Sequence, residues 1–507
     1  MFQAALATSQ SKNNPIISHV SNEFRHLMQF NFKTEPYKHQ REVFDASWDS
    51  ESWALFLEMG TGKTKVTIDT LAKLYCEGEI NAAVVIAPKG VYGNWVAKEI
   101  PQHMPDDVPC SVVLWQPNLT QKFKAELLAL TNDQEHLKIL VMNVESFSSK
   151  KGPDVAEWFM KRNPNCLMAV DESTSIKNRT AKRTKSIIKL GKAAKYRRIL
   201  TGSPITKNPM DLYAQCAFLG TDVLGFESFY AFQGRYAVMK TRKFGNRSFQ
   251  EITGYRNLDE LNTKLQTFSS RILKEDCLDL PEKIYMQRQV PLTKEQESAY
   301  KQMKEMALAM LEKGELSTTQ SVLTQIMRLQ EICCGHLKTD DGQVQEIPNN
   351  RMSELLDVIS EMNGKVIIWA SWVFDIGKIK DELAKVYGPR SVCTFYGDTP
   401  VQERDQMVAD FQDPESELRF FVANPRTGGY GLTLTAATNM VYYSNQYDLE
   451  IRLQSEDRAH RIGQTKHVLY VDLVSPDTVD EKIIAALRNK IDLAQRVLGE
   501  EAKAWLI

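Results

Sequence analysis

Apolar residues in this chain gather into two series of short, unbroken runs. The first series is Trp53–Leu57, Ala82–Ile86, Ile139–Met142, Cys166–Val170 and Arg198–Leu200. The second is Lys365–Trp369, Val392–Tyr396, Phe420–Ala423, Met440–Tyr443 and Val468–Val474. Continuous rather than alternating apolarity fits strands buried on both faces, as in a parallel sheet. The stretches between the runs are long and carry helical periodicity, as βαβ crossovers require. The pattern predicts an α/β chain with two units, each owning a sheet.

The same pattern sets the expected boundaries. Residues 1–33 are polar with scattered aromatics and read as an N-terminal arm, and residues 34–206 as the first lobe. Residues 207–280 form a helical extension rich in Phe226, Phe229, Tyr230, Phe232 and Tyr236, with a hairpin turn at Lys243-Phe244-Gly245-Asn246-Arg247. Pro281 and Pro291 flank a strand-like crossing segment, and residues 294–335 are helical by periodicity. Residues 281–345 are thus a linker and helical extension, and 346–507 the second lobe.

Composition narrows the function classes. Lys+Arg is 63 against Asp+Glu 64, a net charge of -1, so any phosphate-binding surface is local and balanced by acidic surface elsewhere. No apolar run approaches the ~20 residues that span a bilayer, and Met1–Asn14 lacks a signal pattern. Eight cysteines without CxxC pairs suggest reduced thiols, and a cytoplasmic location is expected. Cys333-Cys334-Gly335-His336 reads as a helix end with buried thiols rather than a zinc site, because no second ligand pair is near.

Four segments carry candidate chemistry. Glu58-Met59-Gly60-Thr61-Gly62-Lys63-Thr64 follows a strand and precedes a helix. Leu57 stands where a strict P-loop has glycine, which leaves the G-x-G-K-T form. Its glycines let backbone N–H groups approach phosphate oxygens at a helix N-terminus. Lys63 would reach the β- and γ-phosphates and Thr64 would ligate Mg²⁺. Asp171-Glu172 ends a strand, with Asp171 placed to hold Mg²⁺ and Glu172 to deprotonate the attacking water. Leu200-Thr201-Gly202-Ser203-Pro204 ends another strand, and its hydroxyls suit a link between the metal site and a bound strand. Arg458 and Arg461 are three apart, on one face if helical, and suit bidentate contact with a phosphate. Each has a bland alternative: a glycine turn, an acidic loop, a capped turn, a solvated charged helix.

Taken together and in order, the blocks resemble superfamily-two helicase-type ATPases, specifically the Swi/Snf branch. Further segments carry the match: Tyr37-Lys38-His39-Gln40, an adenine-reading glutamine motif; Ala87-Pro88 through Asn94-Trp95, motif Ia; Ile176-Lys177-Asn178 after the acid pair; Arg271-Ile272-Leu273-Lys274 with Leu280-Pro281 between lobes; Pro425 through Ala437, motif V; and Arg458 through Gln464, motif VI. The resemblance covers roughly residues 35–490. Ser173-Thr174 departs from the usual Gly-His or Ala-His, Ser203 stands for Thr, and Tyr430 replaces a small or leucine residue.

The resemblance implies two tandem RecA-like lobes with a helical insertion, sharing ATP and Mg²⁺, and translocation along double-stranded DNA without full strand separation. It places Gln40, Gly60, Thr61, Gly62, Lys63, Thr64 and Gly431 around the nucleotide. Lys63, Asp171, Glu172, Arg458 and Arg461 become catalytic. Lys89, Asn94, Trp95, Lys177, Asn178, Arg426, Thr427 and Gly428 become DNA-contacting, with Arg179 a further candidate. Backbone contacts of this kind carry little sequence specificity and strong salt dependence. A monomer is expected, with protein partners open, and the chain's shortness for this branch suits a bacterial or phage source. The alternatives are a strand-separating DNA or RNA helicase, with the hairpin as wedge, and a non-catalytic nucleotide-gated clamp.

Overall fold

A computed structural model of the chain describes residues 29–244, 247–312, 319–339, 342–429 and 432–498. The chain divides into two compact units. The first runs to Leu278 and also takes Leu493 and the described residues after it; the second runs Asp279–Asp492.

The first unit holds β1 (Ser52–Leu57), β2 (Ala82–Ala87), β3 (Cys110–Leu114), β4 (Leu137–Asn143), β5 (Cys166–Asp171) and β6 (Tyr196–Leu200). A separate antiparallel pair, β7 (Ala237–Phe244) and β8 (Arg247–Tyr255), precedes β9 (Ser269–Ile272). Seven strands form one sheet in the order β3-β4-β2-β5-β6-β1-β9, and every pairing is parallel. The unbroken apolarity of β2 and β4 has its cause here. Val84, Ile86, Leu140 and Met142 pack into the core on one face, and Ala83, Val85, Ile139 and Val141 into the core on the other.

The second unit repeats the plan. Its sheet contains β10 (Lys283–Gln289), β13 (Lys365–Trp369), β14 (Val392–Phe395), β15 (Phe420–Ala423), β16 (Ala437–Tyr442) and β17 (Val468–Val474), in the order β10-β17-β16-β13-β15-β14, all parallel. A small antiparallel pair, β11 (His336–Lys338) and β12 (Val344–Glu346), lies apart. Val366, Ile368 and Val422 face one core, and Ile367, Trp369 and Phe421 the other.

All ten apolar runs form strands, so the chain is α/β with two parallel-sheet bodies. β3 and β9 escape the apolar pattern. β3 is a half-buried edge strand, and β9 is the polar stretch Ser-Ser-Arg-Ile at the opposite edge. The hairpin forms, with Phe244 opposite Arg247, while its turn at Gly245-Asn246 lies outside the described residues. The first 28 residues of the expected arm also lie outside them. Beyond these, the rings of Phe30 and Phe32 pack on Phe44 at centroid distances of 5.5 and 5.2 Å. The helix Thr319–Cys333 ends at two buried thiols, and Gly335 at φ 84° turns the chain into β11.

Candidate active site

Parallel strands deliver their following loops to one sheet edge, and in the first unit the strand order puts the candidate loops side by side. β5, β6 and β1 are neighbours, so Asp171-Glu172, Thr201–Pro204 and Glu58–Thr64 leave the sheet together. β9 flanks β1 and adds Arg271, whose guanidinium donates to the carbonyls of Phe56 (2.9 Å) and Gly202 (3.0 Å).

The phosphate-loop geometry depends on two glycines. Gly60 has φ 79° and Gly62 φ 98°, a region that favours glycine, and α1 (Lys63–Cys76) starts immediately after Gly62. A Cβ at Gly62 would collide with the Gln40 amide. Gln40 is buried over the loop: its Oε1 accepts from Tyr37 N–H (3.1 Å), and its Nε2 donates to the Thr61 carbonyl (3.2 Å). His39 Nε2 meets the same carbonyl at 2.9 Å. Thr61 Oγ1 donates to the Glu58 carbonyl (2.7 Å), and Thr64 is half-buried in the first turn of α1.

Lys63 is buried, and its ammonium donates to the Leu57 carbonyl at 3.0 Å. Burial holds it below the usual lysine range, partly offset by the charges of Glu172, Asp171 and Glu58. Lys63 thus lies within electrostatic reach of both carboxylates, the arrangement the two sequence blocks imply. Burial in turn raises the Asp171 carboxyl, opposed by the Trp95 indole, Lys63 and the Glu172 N–H. Glu172 has φ 45° and ψ 60°, a left-handed conformation in a non-glycine residue that turns the chain sharply off β5. Its N–H donates to Asp171 Oδ1 at 2.9 Å.

Trp95 is placed differently from the strand-contacting role expected of it. Its side chain is 1% exposed, and its indole N–H donates to Asp171 Oδ2 at 2.9 Å. The side chain lies in the core, and its indole holds the Asp171 carboxylate. Lys89 is exposed, Asn94 half-buried, and Asn178 exposed with its Oδ1 accepting from Thr180 N–H (3.1 Å) and Oγ1 (2.8 Å). Lys177 is half-buried and donates to Thr206 Oγ1 at 2.6 Å. Arg179 lies over the rings of Phe229 and Tyr230, at 4.2 and 5.2 Å from their centroids.

In the second unit, Arg458 and Arg461 are not on a helix. The helix Leu449–Glu456 ends before them, and the chain runs on in turns held by the Leu434 N–H bond to the Arg458 carbonyl (2.9 Å). The two guanidiniums nevertheless converge: both donate to the Leu432 carbonyl, at 3.0 and 3.1 Å. Arg458 is buried with further bonds to the Gln454 carbonyl and Asp457, and Arg461 is half-buried. The Glu456 carboxylate, at the base of this turn, is held charged below its usual range by Lys283 and Arg452 against the burial that opposes it.

Arg426 is exposed and bonds Gln446 Oε1 at 2.9 Å, and Thr427 is half-buried. Gly428 is buried, and a Cβ there would press on the Trp369 ring at 2.8 Å; its side of the loop is a packing surface. Gly431, the remaining nucleotide-site candidate, lies outside the described residues.

Comparison with protein families matches residues 22–337 to the SNF2-related domain, more than half of the chain. The chain belongs to the SNF2-related family. Residues 350–463 of this SNF2-related chain match the helicase conserved C-terminal domain, a span that takes in both arginines. Relatives include the ISWI chromatin-remodeling complex ATPase CHR11 of Arabidopsis thaliana, 26% identical over 87% of this chain and 40% of that protein. Another is the putative ATP-dependent helicase/translocase YwqA of Bacillus subtilis, 26% identical over 89% of this chain and 48% of that protein. The SNF2-related chain spans less than half the length of either. Among solved structures, a Sulfolobus solfataricus SWI2/SNF2 ATPase core in complex with dsDNA is similar at 25% identity, 93% and 94% coverage and a TM-score of 0.42.

His39, Arg271 and the role of Trp95 are the site features that sequence reasoning misses. The blocks that contain them are visible in the sequence, but nothing in their spacing says which member turns inward.

Proposed function

We propose that this chain hydrolyses ATP to move along double-stranded DNA without separating the strands. The observation that carries the reading is the assembly of Lys63, Asp171 and Glu172 at one sheet edge, where the two carboxylates favour the charged form of a lysine that burial holds low.

In this reading the backbone N–H groups from Gly60 to Thr64 and the Lys63 ammonium bind the phosphates, and Gln40 borders the base. Thr64 and Asp171 would hold Mg²⁺. Their donors are all oxygen, which suits that hard ion, and the buried acid stands beside a lysine that favours its charged form. When bound, the ion neutralises charge developing on the phosphates. Glu172 takes the proton from the attacking water, and Arg458 and Arg461 act on the γ-phosphate as arginine fingers. The domain divisions at 1–33, 34–206, 207–280, 281–345 and 346–507 belong to the same reading.

Nucleic acid is held by its backbone through Lys89, Asn94, Lys177, Asn178, Arg179, Arg426 and Thr427. Phosphate contacts of this kind position the protein and weaken with salt.

Steady-state ATPase without nucleic acid, and with duplex DNA, single-stranded DNA and RNA at two salt concentrations, tests this. Stimulation by duplex that fades with salt supports it. Stimulation by single strands or RNA instead moves the reading to a strand-separating helicase, with the β7–β8 hairpin as its wedge. No turnover on any nucleic acid removes the hydrolase.

A further inference from the structure

Behind the Asp171-Glu172 turn lies a buried polar bridge that the proposed chemistry does not use. Ser173 and Gln215 are both fully buried, and Ser173 Oγ donates to Gln215 Oε1 at 2.7 Å. The Gln215 Nε2 donates twice, to the carbonyls of Pro204 and Asp211, at 2.8 Å each. Carbonyl oxygens only accept, so this pair fixes the orientation of the amide and leaves its oxygen to the serine hydroxyl. Ser173 adjoins Glu172. Pro204 closes the Thr201–Pro204 turn after β6. Gln215 projects from α2 (Asp211–Leu219) between them.

A second tie runs parallel to the first. Lys177 donates to Thr206 Oγ1 (2.6 Å), and the Asp211 carboxylate accepts from Thr206 N–H (3.0 Å), Thr206 Oγ1 (3.2 Å) and Lys207 N–H (2.7 Å). The segments 201–207 and 171–177 are therefore tied at two places, through Gln215 of α2 and through the Lys177–Thr206 bond that Asp211 at the start of α2 braces. An unsatisfied buried polar group costs far more than a hydrogen bond contributes. A fully satisfied buried network therefore tends to hold one geometry.

We infer that Gln215 is a positioning residue that sets Glu172 through Ser173 and makes the Asp171-Glu172 turn and the Thr201–Pro204 turn move as one body. The inference rests on the ATP-hydrolase reading above. It gives Ser173 a purpose in a place where the family resemblance leads one to expect a small residue, and it does so through a helix outside every block that carries that resemblance. Displacement of a general base by a fraction of an ångström lowers turnover without loosening substrate, since phosphate binding belongs to other residues.

The test is steady-state hydrolysis and fluorescent ATP-analogue binding on the intact chain and three variants. Gln215→Met removes both donor and acceptor at nearly constant volume, and kcat on duplex DNA should fall about tenfold to a hundredfold with KM for ATP and analogue affinity unchanged. Gln215→Glu sets a carboxyl against two carbonyl oxygens, so burial and repulsion should push its pKa up while leaving it to ionise at the higher pH values tested. Its kcat should recover on acidification, when the carboxyl can again donate, whereas that of Gln215→Met should not. Ser173→Ala removes one hydroxyl and keeps the test alive if a Gln215 variant does not fold; its kcat should fall in the same direction, again at constant KM.

Folded variants that keep wild-type kcat overturn the bridge. So does a fall in kcat that comes with an equal loss of analogue affinity and melting temperature, which is damage to the fold. Wild-type protein that turns over no ATP overturns the underlying reading itself, and shows this before any variant is compared.

Discussion

The indole N–H of Trp95 donates to Oδ2 of Asp171 at 2.9 Å, with both side chains buried. A hydrogen bond to the charged form of an acid lowers its pKa, and here it works against the burial that raises it. In Trp95→Phe that opposition is lost, so the Asp171 carboxyl rises further. The acid limb of the pH–rate profile should move to higher pH, with turnover at neutral pH lower by about tenfold, the worth of one hydrogen bond to a charged group. A profile that overlays the wild type would show that the bond does not tune the acid.

The sign for stability runs the other way. Asp171 is raised above its ordinary value, so its contribution to stability is full below that ordinary value and is lost as pH rises through the folded one. Once ionised, its charge costs the fold. Asp171→Asn, which still accepts from the indole, should therefore melt higher than wild type at neutral pH while being inactive, and the gap should close in acid. Thermal melts at both pH values decide it.

Lys63→Ala and Glu172→Gln should separate binding from chemistry. The first removes tight ATP binding. The second keeps it and lowers turnover by about 10²–10⁴-fold, the usual worth of a general base. Full activity in Glu172→Gln would assign the base elsewhere.

Arg458 and Arg461 share the Leu432 carbonyl but differ in burial, and their variants should differ accordingly. Arg461→Ala should lower kcat by about 10³-fold with the melting temperature kept. Arg458→Ala also strips the Gln454 carbonyl of its guanidinium partner and empties a buried position, so it should lower both. Equal melting temperatures would contradict the burial argument.

The ion pair Lys65–Asp69 is buried on α1 at 2.9 Å, with Lys65 also donating to the Thr34 carbonyl at 2.8 Å. Removing one partner strands the other charge. Lys65→Met should destabilise by about 3–5 kcal/mol, and Lys65→Met with Asp69→Leu should recover most of it. Burial raises Asp69 to about 6 from 3.8, so its stabilising contribution is present below 3.8 and lost as pH rises through about 6. The advantage of the double variant should therefore be greater at neutral pH than in acid, as denaturant titrations would show.

What was legible in the sequence follows the strength of the local physics. Strands buried on both faces announce themselves by unbroken apolarity, and the phosphate loop by glycines that only a left-handed turn explains. β9 is silent because its edge position asks little of its side chains, although it carries Arg271 to the loop. Trp95 gives no sign of its inward position, because an aromatic beside a polar block looks the same whether it faces out or in. Arg458 and Arg461 meet as expected but without the helix, since the turn is held by a backbone bond to Leu434, distant in sequence. Gln215 gives no signal, because its partners come from two loops that only the fold brings together.

The backbone of Glu172 has a consequence for how such a protein changes over time. A left-handed non-glycine residue costs about 1–2 kcal/mol, and the remainder of the fold bears that cost at the position proposed to activate water. Selection for durability alone would replace it with glycine or asparagine. A lineage released from the need to turn over ATP should drift at this residue early, and engineering guided by melting temperature should lose the enzyme there while improving the fold.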